Sequence, residues 1–191
     1  MMSKEEDLKS LNEIMAARFK KIEDGVVSAE NIAGLFENLL EGIEKEFSVP
    51  FVWLTLIDHE KVAPVINEIK SSEILKSRFS VVPQELFEKI LPGSSKPVLA
   101  NKGLQPFYRL LPPSRKYFVK SIAVVPFAID GQIIGTWNNG DADANRYEPD
   151  MKTDLIEALA AQLSRKLSQL VAEKNVASDQ IGNNNPSGGF S

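Results

Sequence analysis

Three arginines and two tyrosines, Arg78, Arg109, Arg115, Tyr108 and Tyr117, fall in the proline-rich middle of the chain. Their types suit recognition of an anionic small molecule, because a guanidinium offers a planar donor fork to a carboxylate or phosphate and aromatic rings wall a site. Trp53, Thr55, Ser121 and Asn138 lie on runs that read as strands. Any of them facing a pocket would need a partner in ligand, water or backbone. A second reading stands beside this one: the arginines are solvated over their apolar stems, the tyrosines fill gaps beneath loops, and Trp53, like Trp137, is core. The nine residues together are the candidate ligand site.

Other chemistry finds less support. His59 is the single histidine and sits between Asp58 and Glu60 at a predicted strand end, with no Gly-x-Ser-x-Gly elbow anywhere in the chain, so a hydrolase triad is not expected. Asp141, Asp143, Glu148, Asp150 and Asp154 form an acidic run without calcium-loop spacing, which a solvated loop and a helix start explain. Gly131, Gly135 and Gly140 do not follow a phosphate-loop or dinucleotide pattern. Cysteine is absent, which excludes disulfides, thiolate metal sites and cysteine nucleophiles. No metal site and no particular cofactor is expected.

These residues must be positioned by a chain of 191 residues with 22 basic and 26 acidic side chains and a net charge of −4. That balance gives no general attraction to nucleic acid or anionic lipid. No apolar run is long enough to span a bilayer, and the start MMSKEEDLKS is unlike a signal peptide, so a cytoplasmic location is expected. Ser3 predicts a helix N-cap with Glu5, Glu6 and Asp7 behind it. Leu8, Leu11, Met15, Arg18 and Ile22 make a narrow seam on this helix, which Asp24-Gly25 should end. A second helix, predicted from Ser28 to Phe47, carries a broad apolar face of Ile32, Leu35, Phe36, Leu39, Leu40, Ile43 and Phe47 suited to packing on a sheet.

Val49 to Ile57 reads as a central strand buried on both faces. Arg78 to Val82 reads as a strand, Pro83 to Ile90 as a short helix and Pro97 to Ala100 as an extended piece. Ser121 to Ala128 and Gln132 to Asn138 are two further strands joined at Asp130-Gly131, the pair a type I′ hairpin demands. A last helix, predicted from Pro149 to Lys174, carries Met151, Leu155, Leu159, Leu163, Leu167 and Leu170 as a second narrow seam. The small, polar residues beyond Asn175 predict a flexible tail.

The run from Lys120 to Leu170 resembles the C-terminal half of GAF domains, with the strands Ser121 to Phe127 and Gly131 to Gly135 and the helix entry Asp143-Ala144-Asn145-Arg146-Tyr147-Glu148-Pro149-Asp150. It is most similar there to a bacterial GAF-like family of unassigned function, and the resemblance extends more weakly from about Ser28 to Lys174. It implies an α+β fold, a central antiparallel sheet flanked by N- and C-terminal helices. The implied organisation is a helix over residues 1–25, a GAF-like domain over 26–175 and a tail over 176–191. The irregular middle would then fold over the open face of the sheet and place the candidate arginines and tyrosines around a pocket.

Function does not follow from such a scaffold alone. The resemblance implies a sensory or regulatory module, not an enzyme, that binds a small molecule and relays occupancy through a homodimer of the terminal helices to a separate output protein. Packing of the two seams within one subunit is the alternative to the homodimer. A dimerisation or protein-interaction scaffold with a vestigial pocket is the alternative function. The cysteines on which methionine sulfoxide reduction and bilin attachment depend in the family are missing, as is its cyclic-nucleotide motif Asn-Lys-x-Phe-Asp-Glu.

Overall fold

The Asp130-Gly131 turn has positive φ at both residues, 48° and 81°, as a type I′ hairpin requires. It joins β4 (Ser121–Ile129) to β5 (Gln132–Asp141), and the other strands assemble around this hairpin. The computed structural model describes residues 3–112 and 118–182. β1 (Phe51–Asp58), β2 (Phe79–Pro83) and β3 (Val98–Ala100) complete a five-stranded sheet in the order β2-β1-β5-β4-β3. The fold is α+β. Three of the four strand pairings are antiparallel, as expected, while β1 and β2 run parallel. A parallel pair needs a crossover, supplied by α3 (Ala63–Ser71), a helix the sequence reading did not place.

Alternation along β1 and β5 divides the core in two. Val52, Leu54, Leu56, Trp137, Val125 and Phe127 face α2 (Ile32–Phe47) and α5 (Asp154–Gly182), and Phe36 meets Phe127 with ring centroids 5.3 Å apart. Trp53, Ile57, Ile122 and Val124 face the opposite way, toward α4 (Gln84–Ile90), the 3₁₀ turn Gln105–Arg109 and the leucines that follow it. A bulge between Phe127 and Ala128 interrupts the β4–β5 register. There the amides of Ala128 and Asp130 donate to Ser164 Oγ and Ser168 Oγ of α5, each at 3.0 Å. Local strand irregularity is thus converted into helix attachment.

Gly135 records the closest backbone approach. A Cβ at this position would lie 2.3 Å from the carbonyl oxygen of Thr55 on β1, so only glycine fits.

Helix boundaries depart from expectation at four places. α1 (Lys4–Val27) begins at a capping box in which Ser3 Oγ accepts from Glu6 N and Glu6 Oε2 accepts from Ser3 N, as Ser3 suggested. It then runs through Asp24-Gly25 to Val27, because Gly25 keeps helical geometry and its carbonyl accepts from Asn38 Nδ2 of α2. Ser28 closes α1 rather than opening α2, and Asn31 caps α2 through Gly34 N at 2.7 Å. α5 starts at Asp154, five residues beyond Pro149, which belongs to a turn. It also continues past Lys174 to Gly182.

α1 packs on α2 and α5 through Ile22 and Val26, and Gln162 Nε2 donates to Glu23 Oε1 at 3.0 Å. Earlier residues of α1 are not covered: Leu8, Leu11 and Ile14 are 59%, 55% and 48% exposed. Arg18, on the predicted seam, is exposed as well. Among the described residues no helix is long and apolar enough to cross a membrane.

Candidate functional site

On the face of the sheet away from α2 and α5, three of the candidate residues are joined in one buried network. Trp53 Nε1 and Thr55 Oγ1 donate to the carbonyl of Leu110 at 2.8 and 2.9 Å, and Ser80 Oγ donates to the same oxygen at 2.8 Å. Asn138 Nδ2 donates to Thr55 Oγ1 at 2.9 Å, while its Oδ1 accepts from Thr136 Oγ1 at 2.9 Å. Trp53, Thr55, Thr136 and Asn138 are buried and Ser80 is half-buried, and the contacts satisfy their side-chain polar atoms. The network pins the segment after the 3₁₀ turn onto the sheet over Trp53, Thr55 and Asn138.

The other candidates lie apart. Arg78 donates through Nε and Nη2 to the carbonyl of Val52, at 3.2 and 2.9 Å, and pairs with Glu44 at the end of α2. Ser121 Oγ donates to the carbonyl of Asp143 at 2.6 Å, tying β4 to the acidic loop. Tyr108 is half-buried against the second core, and Arg109 beside it is exposed. Arg115 and Tyr117 lie outside the described residues. His59 uses Nδ1 to accept from Lys61 N at 3.1 Å, a local turn contact. The described residues hold no cluster of three or more potential metal ligands.

A cleft of about 930 Å³ opens on the helix-covered face, where α1, α2, the end of β5 and the start of α5 converge. This volume falls within the range of small-molecule sites, roughly 300–1,000 Å³. Met15, Phe19, Phe47 and Val49 form apolar wall, with Phe19 and Phe47 packed ring to ring at 4.8 Å. Trp137 and Asn139 of β5 line the cleft from the sheet side. Their residues are 0% and 5% exposed, yet Trp137 Nε1 and Asn139 Oδ1 have no hydrogen-bond partner. A buried polar atom left in this way costs about 1–3 kcal/mol. One is a donor and the other an acceptor, two positions apart on one strand and so on one face of the sheet.

The 141–153 loop supplies the outer wall, and two of its acidic residues, Asp141 and Asp143, help to build it. Asp141 Oδ1 accepts from Asp143 N at 2.8 Å, and Asp143 Oδ1 accepts from Asn145 N at 2.9 Å. Arg146 is then held from both sides: its guanidinium lies 3.6 Å from Asp141 Oδ2 and donates to the carbonyl of Phe47. It also stands over the Tyr147 ring, 5.9 Å from the centroid. The Tyr147 phenol is pushed up to about 12 because burial outweighs the opposing pull of Arg146 and the Asn139 side chain. Tyr147 is therefore a neutral phenol at the cleft wall at physiological pH. Exposed Arg18 and Lys152 stand at the cleft with Arg146, against Asp154 as the acidic lining residue.

None of these cleft residues belongs to the candidate set. One signal was available: Trp137, Asn138 and Asn139 are consecutive on a strand, so the two asparagines must face opposite sides of the sheet. The other walls come from segments far apart in the chain, which no local pattern connects.

No family model matches the chain, and no curated protein matches it. GAF domain structures are among the solved structures to which it is similar. The GAF domain from Acinetobacter phosphoenolpyruvate-protein phosphotransferase aligns with a TM-score of 0.48 and 11% identity, covering 85% of this chain and 96% of that one. The GAF domain/HD domain protein from Geobacter sulfurreducens aligns with a TM-score of 0.42 and 12% identity, covering 81% and 98%.

Proposed function

We propose that this chain is a GAF-like sensory or regulatory domain that binds a small molecule in the cleft beneath α1 and passes occupancy to the terminal helices of a homodimer. The observation that carries this reading is the pair of buried, unpartnered polar atoms, Trp137 Nε1 and Asn139 Oδ1, beside a cleft of ligand size. A fold does not leave a donor and an acceptor unpaired in its core without cost. A ligand that pairs them recovers that cost as binding energy. The cleft is walled by residues of both α1 and α5, so its occupant would touch the two helices that carry the relay.

The homodimer is supported by Leu8, Leu11 and Ile14 on the uncovered part of α1, and by Val176 and Ile181 on the exposed end of α5. Apolar residues on a projecting helix gain from a second helix. A separate output protein would read the state of these helices.

A scaffold that acts by dimerisation or partner docking alone is the second reading. The network around the Leu110 carbonyl favours it, since Trp53, Thr55 and Asn138, expected at a ligand, are paired with protein instead. Native mass spectrometry of the purified protein, with denatured protein as the reference, separates the two. A dimer carrying a discrete additional mass is the expected result. A ligand-free dimer favours the scaffold, and a bare monomer contradicts the relay.

A further inference from the structure

We infer that the cleft beside β5 takes a planar heterocycle carrying a hydrogen-bond acceptor and an N–H donor on one edge, of the cyclic-amide type, with Trp137 Nε1 donating to the acceptor and Asn139 Oδ1 accepting from the donor. The inference rests on reading this cleft as the ligand site and adds the chemical class. The site's unmet valences determine the edge. An indole nitrogen only donates and a carboxamide oxygen only accepts, so a ligand with two acceptors or two donors would leave one protein atom unpaired.

The walls determine the rest of the molecule. Phe19, Phe47, Trp137 and Tyr147 bring four aromatic rings to one cleft, and aromatic walls favour a flat, largely apolar body. Tyr147 is fixed against Arg146 and stays protonated, so it adds no negative charge to the wall. A carboxylate on the inner edge is disfavoured, because Asn139 Oδ1 would meet another acceptor there. A purely aliphatic molecule would fill the volume and leave both polar atoms unmet. One ordered water bridging the two atoms is the competing occupant.

The chain contains two tryptophans, so an ¹⁵N-labelled sample gives two indole N–H resonances, assigned with Trp53→Phe and Trp137→Phe. The probes are 2-quinolone, which has the complementary edge, N-methyl-2-quinolone, which lacks the donor, and naphthalene, which lacks both groups. We expect 2-quinolone to move the Trp137 indole resonance downfield and saturably, with the Trp53 resonance unmoved. The N-methyl analogue should bind at least about tenfold more weakly, since it leaves the Asn139 oxygen buried and unpaired. Asn139→Leu should remove the difference between the two quinolones.

Equal binding of 2-quinolone and its N-methyl analogue overturns the proposed class, as does a Trp137 resonance unmoved by either. A molecule retained in native mass spectrometry that lacks such an edge but shifts Trp137 overturns the class while leaving the proposed function standing. A ligand whose binding shifts only Trp53 overturns both.

Discussion

Trp53 and Asn138 lie directly opposite each other on β1 and β5, while Trp137 and Asn139 are neighbours on β5 that face the other side of the sheet. The same two residue types are buried on both faces, yet their polar atoms end differently. On one face Trp53 Nε1 reaches the Leu110 carbonyl and Asn138 uses both ends of its amide. On the other, Trp137 Nε1 and Asn139 Oδ1 have no hydrogen-bond partner. Residue type therefore does not distinguish the polar groups that find partners from those that do not. What covers them does: an irregular segment can bring a backbone carbonyl down onto a sheet, whereas a helix has most of its carbonyls committed to its own ladder.

The contrast can be broken most severely at Gly135, on which the β1–β5 pairing that creates both faces depends. Gly135→Val forces a Cβ into the 2.3 Å space before the Thr55 carbonyl and should cost at least about 3 kcal/mol, the upper side of overpacking losses. Thermal melting followed by circular dichroism checks this, and an unchanged melting temperature contradicts the close approach.

The asparagine pair comes next in size. Asn138→Leu strands the Thr136 hydroxyl in the core and takes from Thr55 Oγ1 the donor it accepts from, and should lower the urea-derived stability by about 1–3 kcal/mol. Asn139→Leu abandons an oxygen that has no partner and should cost less than about 1 kcal/mol. Equal losses would erase the distinction between the faces.

The smallest effect is alkaline and belongs to the cleft. With a folded pKa near 12 against an ordinary 10 for the unfolded phenol, Tyr147 contributes its full share of stability below pH 10 and loses it as pH rises toward 12. In an ultraviolet titration, the tyrosinate component missing from Tyr147→Phe should have its midpoint near pH 12. A midpoint near 10 would mean that the phenol is open to water.

Local patterns carried much of this fold and little of the site. The Asp130-Gly131 turn, the Ser3 cap, the apolar face of α2 and the doubly buried β1 are each written in a few adjacent residues, and each is present. Pro149 misled because a proline suited to a first helical turn also suits a β-turn, and the helix waits until Asp154. Trp53, Thr55 and Asn138 were legible as polar strand positions, but their partner is a backbone carbonyl in an irregular segment, which no side-chain pattern announces. Arg146 and Tyr147 stood in the quoted helix-entry motif. Their position at a cleft depends on Phe47 and Asp141, one of them almost a hundred residues away.

The most direct test of the central claim is the indole region of an ¹⁵N-correlated spectrum of the ligand-free protein, with its two resonances assigned by the Trp→Phe variants. A downfield, hydrogen-bonded N–H is expected for Trp53 and an upfield, unbonded N–H for Trp137. Two equally downfield resonances would show that Trp137 already has a partner, and the cleft would then lose the unmet donor on which its reading as a ligand site depends.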